Sequence, residues 1–310
     1  MFSSFFEKTK PINYFVLSGF LVLVYAIRLF LSIQGDWTQA FFPLEILGFA
    51  AVLLSIFVIN EIVRAEKVTS FNSFAMLFFV LLLVAFSETL SDKNAVFANM
   101  FLLVGVWRLL AIKSMRNVKH KVFDATFLIG LASLFYDWAL IYLILVFLVI
   151  NLYDGKTFKN WLVPWLALAT LFILTFAVLK LNGSLSFFAQ HYQFSLDVLF
   201  KEPLAHSFRS KLIIYLLLML VLIVFVFTRT RKKGGGKLVS LRIIFMAFLL
   251  GTLLDLLKTN EASSILVTFF PAAIFWANFL ESVKRKKLRE AILTLCAVVP
   301  FLLLVIELNH

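Results

Sequence analysis

The residues with the most potential for chemistry in this chain of 310 residues are six acids and one base. Asp36, Glu45, Glu88, Asp92, Asp137 and Asp255 fall near the ends of long apolar runs, and Arg28 lies just before the first of them. A carboxylate in a polar cleft can act as a general base or bind a cation. A guanidinium beside it can pair with Glu45 or clamp a phosphate. The opposing reading is bland: acids accumulate on the membrane face from which basic residues are excluded. Patterns that identify a particular reaction are missing. The sequence has no Ser-His-Asp order, no H-E-x-x-H and no glycine-rich nucleotide loop. His191 and His206 are fifteen positions apart, which is no recognised zinc spacing, so no metal site is expected. The single cysteine, Cys296, rules out an internal disulfide and a cysteine-built metal centre.

The elements that must position these groups follow from composition. Hydrophobic residues make up 62% of the chain, charged residues only 15%, and the mean hydropathy is +0.99. A soluble domain has about a quarter charged residues. The apolar stretches approach the roughly 20 residues that cross a bilayer as a helix. Inside lipid every backbone polar group needs an internal partner, so the expected fold is all-α, a polytopic helical bundle. Eleven spans are predicted, at about 13–33, 44–62, 71–88, 95–113, 122–136, 138–153, 161–181, 211–229, 238–257, 262–281 and 290–308. The N-terminal "MFSSFFEKTKPINYF" has no small-residue cleavage site, so the first span is expected to stay in the membrane.

Most of the 29 Lys and Arg residues cluster in alternate connections, as in "KSMRNVKHK", "RTRKKGGGK" and "KRKKLR". The other connections hold only Lys93, Lys201, Arg209, Lys211 and Lys258. The positive-inside rule then places the N-terminus in the cytoplasm and the C-terminus outside, in the cytoplasmic (inner) membrane of a bacterium. The net charge of +12 therefore serves topology, and no nucleic-acid partner is expected. The "KKGGG" tract, Lys232 to Gly236, lacks the order of a phosphate loop and reads as a flexible cytoplasmic linker whose charges can touch anionic lipid.

Asp137 interrupts the apolar run 122–153 in "SLFYDWALIY". Both flanking loops are basic, so this run must cross an even number of times or not cross fully. Two short helices bent at "FYDW" fit, with Asp137 near the outer face and Tyr136 and Trp138 as interfacial aromatics. Segment 182–210 is the only sizeable outer loop. Its apolar residues Phe187, Phe188, Tyr192, Phe194, Leu196, Leu199 and Phe200 predict a short amphipathic helix on the membrane surface.

Three features share an order with a known group: "SETLSDKNAVFANMF", then "WRLLAIKS", then "FDATFLIGLASLFYDWALIYLILVFLVINLYDGKTFKNWLVPWLALATLF". Together with a first span followed by Asp36, this order from Met1 to about Gly183 resembles the C-type integral-membrane glycosyltransferases, which use polyprenyl-phosphate sugars, and related bacterial membrane proteins. The resemblance implies a seven-span module over 1–183; the apolar residues of the loop and the later spans add an outer amphipathic loop over 184–210 and a four-span module over 211–310. The resemblance also implies that Asp36 matches the catalytic acid. One departure is plain: the family's long first outer loop is reduced here to "IQGDWTQAFFP", Ile33 to Pro43.

Three functions follow as expectations. The first is a non-catalytic membrane subunit of a cell-envelope assembly, secretion or glycan-assembly machinery, surrounded by lipid and other integral membrane or envelope proteins. The second is a minimal polyprenyl-phosphate-dependent glycosyltransferase. In it Asp36 would be the base and Arg28 would contact the carrier phosphate. Glu88, Asp92 or Asp137 would bind acceptor or a divalent metal. The third is a transporter or flippase of lipid-linked substrates, for which the hairpin supplies one broken helix but no second copy. No cofactor is expected for the first reading; the polyprenyl-phosphate lipid belongs to the second.

Overall fold

The computed structural model describes residues 2–33, 42–194, 206–231, 235–257 and 264–308. Among them it is a bundle of α-helices without strands. In chain order these are α1 (Phe2–Phe6), α2 (Pro11–Ile33), α3 (Phe42–Glu66), α4 (Phe74–Ala85), α5 (Lys93–Leu110), α6 (Val118–Ser133) and α7 (Leu143–Asp154). They are followed by α8 (Phe158–Leu181), α9 (Ser186–His191), α10 (His206–Arg231), α11 (Gly236–Leu257), α12 (Phe269–Ser282) and α13 (Lys286–Leu308). Nine helical segments among the described residues are long and apolar enough to cross a membrane. The chain is an integral membrane protein built as an all-α bundle.

Two of the expected spans fall on shorter helices. The run 71–88 gives the 12-residue α4, which stops at Ala85 and passes into a 3-10 turn at Ser87–Leu90. The polar "SETLSD" explains the break. Thr89 returns its hydroxyl to the Phe86 carbonyl at 2.7 Å, a local bond that competes with helix continuation. The run 122–136 gives the 16-residue α6, which begins earlier, at Val118.

The core forms around α4 and α12. Eleven of the twelve α4 residues are buried, and α12 lies against it with Phe78 stacked on Trp276 at 5.2 Å. Helices α2, α3 and α13 close around this pair. A second packing unit is α5 against α6, where Ala98, Gly105, Ala125 and Ala132 are all buried. Small residues let helix backbones approach closely where lipid gives no hydrophobic drive; the Ala125 carbonyl lies 3.5 Å from where a Gly105 β-carbon would stand. Helices on both sides of the loop 184–210 share contacts, since α4 packs on α12 and α13, and α5 meets α11. The outer faces of α2, α8, α10 and α13 expose Phe15, Leu23, Trp165, Ile173, Ile214, Val221, Leu295 and Leu302. Such continuous apolar cover suits hydrocarbon and would be a liability in water.

One end of the bundle carries the basic connections and is stitched by polar contacts. Asn13 donates from Nδ2 to Ser73 Oγ at 2.8 Å, and the Ser73 amide donates to the Phe6 carbonyl at 3.0 Å. Arg289 pairs with Glu7 at 3.0 Å, tying α13 to the start of the chain. Lys113 pairs with Glu66 at 2.8 Å, and Arg108 with Asp124 at 2.7 Å.

The run around Asp137 is a helical hairpin. Helix α6 ends at Ser133, the amides of Phe135 and Tyr136 both return to the Ala132 carbonyl, and a 3-10 segment, Asp137–Tyr142, leads into α7. Tyr136 is not an interfacial aromatic as expected; it is 1% exposed, because its ring is enclosed by the bundle.

Candidate functional site at the hairpin-tip end

The end of the bundle that holds the hairpin tip also holds most of the singled-out residues. Asp92 stands at the start of α5. Its Oδ1 accepts from the amides of Asn94 and Ala95 at 2.8 and 3.2 Å, which makes it the N-cap of that helix. Its Oδ2 accepts from the Tyr136 hydroxyl at 2.6 Å. One carboxylate therefore starts α5 and holds the hairpin tip. Asp137, one residue on, is buried and opens the 3-10 segment rather than standing in solvent.

Glu45, in the first turn of α3, is held from two sides. Lys93 Nζ lies 2.8 Å from its Oε2. The Tyr25 hydroxyl donates to the same oxygen at 2.9 Å and lies 3.0 Å from the Glu45 carbonyl. The ammonium also donates to the Leu90 carbonyl at 2.9 Å and sits 5.0 Å from the Tyr25 ring centroid. Gly48 makes room for this cluster, since a β-carbon there would stand 3.0 Å from Lys93 Cδ and 3.1 Å from the Tyr25 hydroxyl.

Arg28, which the sequence offered as a partner for Glu45, is directed instead to Ser87. Its Nε donates to Ser87 Oγ at 2.8 Å, and Nη2 reaches the same oxygen. Ser87 is fully buried. The next residue, Glu88, pairs with Lys211 of α10 at 3.2 Å, so the turn after α4 binds both an early and a late helix. Asp255, buried near the end of α11, accepts from Ser264 Oγ at 2.7 Å. Beside it the Tyr142 hydroxyl donates to the Ala247 carbonyl at 2.8 Å, and Tyr215 shares a 2.8 Å bond with Thr268.

Asp36 lies outside the described residues, as do Leu196, Leu199 and Phe200. The described part of the 182–210 loop, up to Phe194, forms the short α9 and folds back on the hairpin, and His206 already begins α10. His191 Nε2 lies 2.7 Å from the Ser133 carbonyl, and the Tyr192 hydroxyl lies 2.9 Å from Ser133 Oγ. Burial pushes the Tyr192 pKa up and the Asp137 charge adds to the rise, while the Ser133 bond opposes it. Phe188 packs on Phe172, and Phe194 meets Trp138 edge to face. Beneath this clasp runs an apolar groove of about 330 Å³ between α6 and α8, lined by Gly130, Ser133, Leu140, Leu171 and Phe188 among others.

Glu45, Glu88, Asp92 and Asp255 thus each accept hydrogen bonds or ion pairs from a different element. Among the described residues no three His, Cys, Asp or Glu side chains gather in a way that could hold a metal ion. The partners Tyr25, Ser87, Lys93, Tyr136 and Lys211 were not foreseen from the sequence. The one signal was local: "SDKN" places an N-cap aspartate directly before a lysine. The chain matches no protein-family model, no curated protein and no solved structure.

Proposed function

We propose that this chain is a non-catalytic integral membrane subunit of a cell-envelope assembly, secretion or glycan-assembly machinery. Its proposed location is the cytoplasmic membrane of a bacterium, with the N-terminus inside and the hairpin tip facing out. Its first 183 residues would retain a glycosyltransferase-like module as scaffold. The observation that supports this is the commitment of the hairpin-tip acids to ties between helices. Glu45 joins α3 to α2 and α5, Glu88 joins the turn after α4 to α10, and Asp92 joins α5 to the hairpin. A catalytic or metal-binding carboxylate needs a face open to its ligand; these faces are turned to the protein's own donors.

A second reading has one specific support. Arg28 is near the end of α2, eight residues before Asp36, and its guanidinium lies at the same end of the bundle as the acids. That is the placement a minimal polyprenyl-phosphate-dependent glycosyltransferase would require, with Asp36 as base and Arg28 on the carrier phosphate.

Complementation separates the two. A strain deleted for this chain is supplied with the wild type or with Asp36→Asn at matched membrane abundance. The subunit reading expects Asp36→Asn to restore the wild-type phenotype fully. Loss of complementation by an abundant, stably folded Asp36→Asn protein overturns it in favour of the enzyme.

A further inference from the structure

We propose that the basic end of the bundle carries a site for one anionic phospholipid, with the headgroup phosphate between α10, α11 and α12 and an acyl chain in the adjoining groove of α10, α12 and α13. The inference does not depend on whether the chain is a subunit or an enzyme.

The headgroup half is a cavity of about 150 Å³ lined by Arg229, Thr230, Lys237, Asn278, Glu281 and Ser282, with Ser70 and Val226 completing it. Two cations and several hydroxyls meet one carboxylate there. Glu281 is already engaged. It accepts from the Ser70 amide at 2.7 Å, the Ser70 hydroxyl at 2.9 Å and Asn72 Nδ2 at 2.7 Å, and Lys237 stands 3.8 Å away. Arg229 forms no ion pair among the described residues. Its guanidinium carbon lies 6.0 Å from the Phe225 ring centroid, one turn back on α10. A half-exposed guanidinium with free donors, in a polar cavity beside hydroxyls, is suited to a phosphate oxygen pair.

The chain half begins at that same Phe225. An apolar groove of about 410 Å³ runs along Leu218, Leu222 and Phe225 of α10, Trp276 and Phe279 of α12, and Leu295 of α13. Phe225 and Phe279 meet edge to face at 5.2 Å, at the boundary between the polar cavity and the apolar groove. On α10 the groove residues 218, 222 and 225 are succeeded by 226, 229 and 230 in the cavity. The two compartments are therefore about one helical turn apart along the axis. A phosphate at the end of a helix seam followed by hydrocarbon down the seam is the shape of a phospholipid. The cationic surplus selects one with a negatively charged headgroup, as basic pockets between membrane helices do.

The test uses the full chain in nanodiscs of phosphatidylcholine, with bound lipid counted by native mass spectrometry as phosphatidylglycerol is added. Arg229→Gln combined with Lys237→Gln should weaken phosphatidylglycerol retention by roughly thirtyfold, on the scale of two lost surface cations. Lys284→Gln combined with Arg285→Gln removes the same charge from the same end but outside the cavity, and should change it less than about twofold. Leu295→Trp, on an exposed groove residue, should weaken retention of phosphatidylglycerol yet leave binding of glycerol 3-phosphate as in the wild type. All variants are first matched for melting temperature in detergent. Equal losses in the two charge pairs would reduce the effect to diffuse attraction and overturn the site. Millimolar inorganic phosphate that displaces the lipid fully, with no effect of Leu295→Trp, would assign the cavity to a free anion instead.

Discussion

The Tyr136 hydroxyl donates to Oδ2 of Asp92 across 2.6 Å, while Oδ1 of the same carboxylate caps α5. Residues 44 positions apart in the chain are thereby joined. Removal of the two functions separately should give graded losses. Tyr136→Phe deletes one charge-assisted hydrogen bond, about 1.5 kcal/mol, and leaves the cap. Asp92→Ala deletes the cap as well, about 1 kcal/mol more. Asp92→Asn should fall closest to wild type, because its amide oxygen keeps the cap and its NH2, which cannot accept, can still donate a weaker neutral bond to the Tyr136 oxygen. Melting temperatures in one detergent rank the three; an Asp92→Ala protein as stable as wild type removes this tie from the description.

Lys93 and Glu45 are only 11% and 20% exposed, so solvent screens the pair weakly and the loss of one member leaves a charge with poor hydration. Lys93→Met should destabilise by roughly 3 kcal/mol. Adding Glu45→Gln should recover much of that loss, since the amide oxygen still accepts from Tyr25 with no charge to compensate. A double variant no better than Lys93→Met alone would mean that the lysine acts through packing on the Tyr25 ring rather than through its charge.

Gly251 lets Tyr142 of the hairpin reach α11. A β-carbon there would come within 3.0 Å of both the Tyr142 hydroxyl and Thr268 Cγ2. Gly251→Ala should displace Tyr142 modestly, and Gly251→Leu should sever its bond to the Ala247 carbonyl. The expected readout is faster cleavage by a membrane-compatible protease in the loops beside α7, slight for alanine and strong for leucine. Unchanged cleavage in Gly251→Leu contradicts the close approach.

The α9 clasp rests on Ser133, whose carbonyl meets His191 and whose hydroxyl meets Tyr192. Ser133→Ala and Tyr192→Phe break the same bond, so each should raise amide hydrogen exchange over residues 186–194 by about five- to tenfold. The double variant should match the singles. Additive effects would show that the two side chains act through different contacts.

The helical class and the membrane location were legible in the sequence because hydropathy acts locally: each apolar run must satisfy its own backbone, and each became a helix. The hairpin was legible for the same reason, since the basic loops on both sides of 122–153 and the polar "FYD" leave few other ways to fold that run. The shortened α4 was not. "SFAMLFFVLLLVAFSETL" reads as one apolar stretch, but its helix ends at Ala85, where Thr89 returns its amide and hydroxyl to the Phe86 carbonyl. The polar site was half legible. The acids stood out as costly charges, but the cap that Asp92 of "SDKN" forms on α5 was not among the expectations. Which base meets which acid was hidden, because Arg28 to Ser87 and Glu88 to Lys211 are set by helix packing between segments 59 and 123 residues apart. Sequence spacing carries no information about that register.

The most direct measurement is native mass spectrometry of the protein tagged at its chromosomal locus and released in mild detergent. For a scaffold whose acids are ties between helices, the expected result is a stoichiometric set of membrane or envelope proteins held to this chain, unchanged by Asp36→Asn. A monomer that carries a polyprenyl-phosphate lipid and loses it when Arg28 is changed to Gln would contradict that account and make this end of the bundle a catalytic one.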